Sequence, residues 1–368
     1  MAERADAGAG DEPGEVRAEE RLDEARLAAY LARVTGADPG PLVVQQFPKG
    51  HSNLTYLVRA GTREWVLRRA PFGAKIKTAH DMRREHTILS ALAPVYPLAP
   101  RPVAYSDDES VVGAPFYLME RVRGVILRGG RAPAGLELGP DVMRRLSTAL
   151  VDGLAALHAV DWRAAGLADL GHPEGYVARQ VKGWTERYFR AKTDEVASVE
   201  AAARWLGAHL PALEGAALVH NDYKYDNVVL DPADLTRIVA VLDWEMATVG
   251  DPLLDLGTSL GYWVDPDDPD EMRAMPLEPT TLPGNLSRRE VWARYAERSA
   301  ASSGAAAEPL FYYVFGLFKI AVIAQQIYQR FVAGHTKDPR FGALIVGVRI
   351  LGEQAARALD RDRIHALG

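Results

Sequence analysis

The stretch "LVHNDYKYDNVVLDP", residues 218–232, constrains this chain more than any other. An apolar run of the kind that makes a buried strand gives way to His220, Asp222, Lys224, Asp226 and Asn227 and then turns apolar again. Burying such groups without partners costs roughly 1–3 kcal/mol each. The fold must therefore deliver a strand end to a polar site where something meets these side chains.

The flanking pattern says what kind of fold does this. With 368 residues, 48% hydrophobic and 25% charged, the chain is long enough to divide into two lobes and has the composition of a folded globular protein. Residues 1–18 lack large apolar side chains and are expected to be a disordered acidic tail. Leu27, Tyr30, Leu31 and Val34 follow helical spacing. The runs "PLVVQQF", "TYLVRA" and "EWVLRR" then predict an antiparallel meander. A helix is expected over 78–92, followed by two further strands at "RPVAYS" and "PFYLMERV". Gly and Pro after residue 122 suggest a linker. Beyond it the pattern predicts helices over 141–160, 174–192, 194–210, 251–263, 287–300, 308–333 and 340–359, interrupted by one strand pair around "ALVHNDYKYDNVVL" and "RIVAVLDWE". Ser287 and Glu290 form a capping-box signature. The expected fold class is α+β: a small β-rich lobe over 19–122 and a larger, mainly helical lobe over 123–368.

Composition also excludes classes of partner. A formal charge of -6 argues against a general nucleic-acid binder. Without cysteine, disulfides, thiolate metal sites and thiol nucleophiles drop out, which fits a cytoplasmic protein. The N-terminus lacks the basic start and apolar core of a signal peptide. The apolar segment 310–324 is shorter than the ~20 residues a span requires and carries Lys319, so a buried helix and no membrane partner are expected. Oligomeric state leaves no trace in this sequence.

His220, Asp222 and Asn227 have the spacing HxDxxxxN, "VLDWE" places Asp243 sixteen residues after Asn227, and "GDPLLDLG" follows from Gly250. This order resembles the protein-kinase catalytic loop with its metal-binding aspartate, and more closely the aminoglycoside phosphotransferase family, whose segments read HGD, four residues, N, then DWE and GDPxxDL. The resemblance runs from about Leu42 to Tyr328 and implies a protein-kinase-like two-lobe fold that uses ATP and Mg²⁺. Phosphoryl transfer asks a site for positive charge, hard oxygen ligands and an orienting base. Asn227 and Asp243 are the candidate metal ligands, Asp222 the catalytic base, and Lys224 a cation within reach of the γ-phosphate. A simple hairpin turn would explain Asp222 and Asn227 but not Asp243 and the downstream tail. His220, His158, Asp251 and Asp255 read as structural supports.

The resemblance also points to a nucleotide site in the smaller lobe. Arg68 in "WVLRR" falls where such kinases place the cation on the α- and β-phosphates, and Glu85 in "MRREHTIL" is its implied ion-pair partner. The resistance enzymes use lysine at the position of Arg68, and arginine is not its equivalent. The loop "PKGHSNLTY" resembles a GxSNxTY phosphate loop, which brings in Gly50, Ser52 and Asn53. Glu120 and Val122, at the end of "FYLMERV", would offer backbone groups to the adenine.

The acceptor is expected to be a small hydroxylated metabolite. Five acids in "VDPDDPDE" would draw a cationic aminosugar or form a solvated loop. Residues 59–84 hold eight Lys/Arg against two acids, which suits a phosphate-bearing thioester. The motifs together look most like the branch related to the kinase-like domain fused to some acyl-CoA dehydrogenases, which is associated with hydroxyacyl substrates. An antibiotic acceptor is the second reading, and a catalytically inactive nucleotide-binding pseudokinase a third, of another class. Lys319, Gln325 and Gln326 are candidates for the acceptor pocket.

Overall fold

The structure, a computed structural model, describes residues 12–36, 40–48, 53–71, 81–130, 132–133, 135–212, 214–275, 277–299, 308–336 and 338–368. In the smaller lobe, helix α1 (Glu24–Thr35) precedes strands β1 (Leu42–Gln46), β2 (Leu54–Ala60) and β3 (Arg63–Arg69). Helix α2 (Met82–Leu92), strand β4 (Pro102–Ser106), the single turn α3 (Glu109–Val112) and strand β5 (Phe116–Glu120) complete it. The five strands form one antiparallel sheet in the order β1-β2-β3-β5-β4.

The sheet is covered on both faces, so β3 and β5 are buried almost without interruption. Alternation sorts their side chains. Leu67, Phe116 and Leu118 pack with Leu27, Tyr30 and Leu31 of α1. Val66, Tyr117 and Met119 face the other way, toward Ile88, Leu89 and Leu92 of α2, in a core continuous with the larger lobe. Arg68, two residues after Val66, emerges on this α2 side.

Part of the expected disordered tail has a defined place. Gly14 exchanges both backbone hydrogen bonds with Gln46 at 2.9 Å, and Gln45 donates to the Pro13 carbonyl at 3.2 Å. Residues 12–17 thus lie along the free edge of β1. Composition misses this because the attachment is made by backbone groups, which any residue carries.

The larger lobe contains α4 (Pro140–His158), α5 (Tyr176–Ala191) and α6 (Ala197–Ala208), then β6 (Ala217–Val219), β7 (Val228–Asp231), β8 (Asp234–Val241) and β9 (Thr248–Gly250). After these come α7 (Pro252–Gly261), the single turn α8 (Asp270–Arg273), α9 (Arg288–Arg298), α10 (Pro309–Val332) and α11 (Leu344–Arg361). The expected single strand pair is two pairs: β7 with β8, and β6 with β9. The polar loop between β6 and β7, which contains a 3-10 turn at Tyr225–Asn227, separates them.

Helix α10 has 24 residues, so by length and composition it is able to cross a membrane, contrary to the length expected from its apolar segment. It is a core helix here, with every side chain from Phe311 to Val322 buried. Its contact with α7 is backbone against backbone. A Cβ on Gly257 would collide with the Tyr312 carbonyl, and one on Gly316 with the Gly257 carbonyl. Neither obstacle is a movable side chain. Gly257→Ala is therefore expected to cost at least the roughly 1–3 kcal/mol typical of overpacking, read as a lowered urea midpoint.

Candidate active site

Strand β6 runs directly into the polar loop, and α7 fixes the loop's first two residues. The Asp255 carboxylate accepts the backbone N–H groups of His220 at 2.7 Å and Asn221 at 2.8 Å, and His158 lies 3.1 Å from the same carboxylate. Asp251 caps α7 by accepting from Leu254 N–H at 2.9 Å and also takes the Gly215 N–H at 2.7 Å. Asn221 adopts a left-handed conformation, φ 67°. Among residues with a side chain, Asn tolerates this best, and here its amide also donates to the Met246 carbonyl at 3.1 Å.

With its backbone so held, the loop presents Asp222. Lys224 Nζ sits 2.9 and 3.0 Å from its two carboxylate oxygens. Asn227 Nδ2 donates at 2.8 Å both to Asp222 Oδ2 and to the Asp222 carbonyl. That double bond fixes the amide, turning its oxygen away from Asp222. Across the β7–β8 hairpin, the Leu242 N–H donates to the Asn227 carbonyl at 2.7 Å, which brings the next residue, Asp243, beside Asn227. Asp243 is left-handed at φ 66°, a turn that takes the chain out of β8 and into the cleft.

The smaller lobe meets this site through Arg68. Its guanidinium is 2.9 Å from Glu85 Oε1, 2.9 Å from Asp243 Oδ1 and 3.8 Å from Glu245 Oε2. Glu85 lies on the buried stripe of α2 with Met82, Ile88, Leu89 and Leu92. A carboxylate there needs a cation, and β3 supplies it. Burial dominates at Glu85 and raises its pKa despite Arg68. At Asp243, burial also acts upward, but Arg68 outweighs it and holds the carboxyl below its ordinary value. Asn53 Nδ2 donates to Glu245 Oε2 at 2.9 Å, and Arg84 donates to the Glu245 carbonyl at 3.1 Å, so three side chains of the smaller lobe grip the segment after Asp243.

His220 is a support, as its neighbours dictate. Nε2 donates to the Leu242 carbonyl at 2.9 Å, while Nδ1 accepts the Asp222 N–H at 3.3 Å. Only the neutral ring can do both, and burial lowers its pKa from the ordinary 6.5. Between the folded and unfolded values the unfolded chain binds the extra proton, so stability rises with pH there. This contribution is complete above 6.5 and fades as pH falls toward the folded value. Half-buried His86 is lowered by burial too and adds in the same direction. Asp265, pushed up to about 6 by burial, acts in the opposite direction, so the readout is a difference: between pH 7 and 5 the parent is expected to lose more urea stability than a His86→Leu variant.

Other expectations fare differently. Gly50 and Ser52 lie outside the described residues. Glu120 spends its N–H on the Arg101 carbonyl at 2.8 Å, and Val122 follows, half-buried, just beyond β5. The acidic run is neither a solvated loop nor a cation-binding surface where it matters most. Asp265 and Asp268 are buried around Arg288, which donates to Asp268 Oδ1 at 2.6 Å and to the Trp263 carbonyl at 2.9 Å. The basic stretch is also largely committed: Arg68 and Arg84 as above, Arg59 to Glu64, Arg83 to Asp107, and Arg69 to the Val112 carbonyl. Gln325 donates to the Ala191 carbonyl at 2.9 Å and Thr193 at 2.8 Å, a joint between α10 and the end of α5. Gln326 is half-buried on the same helix.

Residues 43–292 match the profile of the phosphotransferase enzyme family. The chain belongs to that family. Among curated relatives, it is 34% identical to acyl-CoA dehydrogenase family member 10 of Mus musculus, over 88% of this chain and 30% of that one. This chain spans only 30–42% of the length of its first curated relatives. A crystal structure from Ralstonia eutropha, named for a presumed aminoglycoside phosphotransferase, has a TM-score of 0.76 and 29% identity, covering 92% of this chain and 99% of that one. A phosphotransferase solved with GDP and kanamycin aligns with a TM-score of 0.60 over 89% of this chain and 98% of its own, at 18% identity, a likeness of fold. The structure adds a feature the motifs do not encode: a cavity of about 370 Å³ beside the β6–β7 loop, lined by residues of α5, α10 and Asn221 among others.

Proposed function

We propose that this chain is an ATP-dependent small-molecule kinase that moves the γ-phosphate to a hydroxyl of a metabolite. The observation that carries the reading is the meeting of Asp222, Asn227 and Asp243 at one edge of the cleft, with the Arg68–Glu85 pair at the other. Asp222 accepts the proton of the acceptor hydroxyl. The acceptor oxygen bonds to the γ-phosphorus as the bridging P–O bond breaks, and the electron pair leaves with the β-phosphate oxygen. Lys224, 2.9 Å from an Asp222 carboxylate oxygen, offers positive charge toward the incoming phosphate. Arg68 holds the α- and β-phosphates, and Asn53 covers them. Val122 and the carbonyl of Glu120 face the adenine.

Asn227 Oδ1 and Asp243 are hard oxygen donors of the kind Mg²⁺ prefers. Among the described residues no group of three or more His, Asp or Glu is placed to hold a metal, so these two residues fit an ion that takes its remaining ligands from phosphate and water. Bound there, Mg²⁺ would neutralise charge on the β- and γ-phosphates.

For the acceptor the first reading is a hydroxyacyl thioester, supported only by the acyl-CoA in the names of relatives of which this chain spans 30–42%. An aminoglycoside is the second reading; of the five acids that would attract one, Asp265 and Asp268 are turned inward onto Arg288 and Glu271 pairs with Arg357. An inactive nucleotide binder is disfavoured because no member of the motif is missing. The test is incubation of the chain, Mg²⁺ and ATP with a cell metabolite extract. A new species heavier by one phosphoryl group is expected, and its absence across extracts and ATP concentrations would overturn the reading.

A further inference from the structure

The cavity beside the β6–β7 loop is lined by Tyr176, Arg179, Trp184, Arg187, Asn221 and Lys319, among others, and by no Asp or Glu. Its volume of about 370 Å³ lies within the range of ligand pockets. Lys319, in the middle of α10, is 2% exposed. Its ammonium donates to the Asn221 carbonyl at 2.7 Å, has Thr258 Oγ1 at 3.5 Å, and lies 5.7 Å from the Trp184 ring. Arg187 approaches the same tryptophan, at 4.6 Å, from the exposed side. Among the described residues neither cation has a carboxylate within ion-pair distance, whereas Arg68 and Arg288, two other buried cations, each have carboxylates. Burial is the main influence on Lys319 and lowers its pKa to about 8, which leaves it mostly charged at neutral pH.

Asp255 and Asp222 offset this charge only from beyond ion-pair distance, so a buried ammonium beside a guanidinium gains from an anion that enters the cavity. The place is also suited to an acceptor. Asn221, whose carbonyl Lys319 holds, is the residue immediately before Asp222. We propose that this cavity seats an anionic group of the acceptor, a carboxylate or a phosphate, on Lys319 Nζ with Arg187 at the mouth, so that the substrate is an acidic alcohol and not a polycationic sugar. The proposal rests on the kinase reading of Asp222 for the word acceptor, but the binding of an anion in the cavity does not.

Calorimetric titration of the full chain with 3-hydroxybutyrate, glycerol 3-phosphate and neutral 1,3-butanediol tests it. At least one anionic probe is expected to bind about tenfold or more tightly than the diol, the order of one charge-assisted hydrogen bond. Arg187→Gln, a change on an exposed side chain, should weaken that probe several-fold, and Lys319→Met should remove the preference. Response of the hydroxy-carboxylate or of the phosphate ester to these variants identifies which anion the cavity takes. Equal binding of the diol, no binding of either anion, or unchanged anion binding in Arg187→Gln would overturn the proposal. Asp222→Asn should leave anion binding intact. Anion binding that depends on Arg187, found together with no phosphate transfer from ATP, would sink the kinase reading and leave the cavity assignment standing.

Discussion

An Asp222→Asn variant should fold like the parent, bind nucleotide like the parent, and transfer phosphate about 10²–10⁴-fold more slowly, the span usually contributed by a positioned general base. Folding is spared because the loop is held through backbone groups. The Asp255 carboxylate takes the His220 and Asn221 N–H groups, and the His220 ring closes onto Leu242. None of these involves the Asp222 side chain. Nucleotide binding is spared because Arg68, Glu85 and Asn53 lie on the other side of the cleft. The substitution removes one negative charge and the ability to accept a proton, while an amide keeps the shape. Steady-state kinetics with the acceptor found from the extract, beside nucleotide titration and a melting curve, separates the three quantities. Equal turnover in the two proteins would remove Asp222 from the chemistry.

Arg68→Met should be the most destabilising single change at the site. It leaves Glu85, 2% exposed, without its cation, and breaking a buried pair from one side costs about 3–5 kcal/mol. Part of the loss is relieved because burial already raises the Glu85 pKa, so the carboxyl takes up a proton more readily once Arg68 is gone. The double variant Arg68→Met, Glu85→Leu should therefore recover much of the stability. Arg68→Lys should fall between, since a single ammonium replaces a planar fork that reaches Glu85 and Asp243 from two nitrogens. Urea unfolding of the parent, Arg68→Met, Glu85→Leu and the double variant gives the coupling directly. A double variant no more stable than Arg68→Met would show that Glu85 is not the residue that needs Arg68.

These two residues also mark how far the sequence could be read. Asp222, Asn227 and Asp243 were legible because chemistry-bearing side chains crowd into an otherwise apolar stretch, with spacing fixed by one loop and one hairpin. The pairing of Arg68 with Glu85 was legible from the resemblance, and alternation along β3 explains it physically. The contact of Arg68 with Asp243 was not, because 175 positions separate them and either could have found another partner. The run 265–271 failed for a related reason: its acids look solvated until Arg288 turns Asp265 and Asp268 inward. The cavity left no signal beyond Lys319, since its walls come from α5, α10 and two loops that only packing brings together.

Asp255 has a wider meaning. One carboxylate on α7 orients the loop that carries the base, and its own surroundings are His158 of α4 and, through that ring, Tyr295 of α9 at 2.7 Å. This scaffolding is internal, with Asp255 fully buried and His158 nearly so, and it meets the cavity wall at Asn221. Residues such as Arg187 and Gln180 on α5 can consequently change to suit a new metabolite without disturbing the alignment of the reacting groups. A fold with its chemistry anchored from behind and its selectivity displayed in front can diversify in evolution one wall at a time.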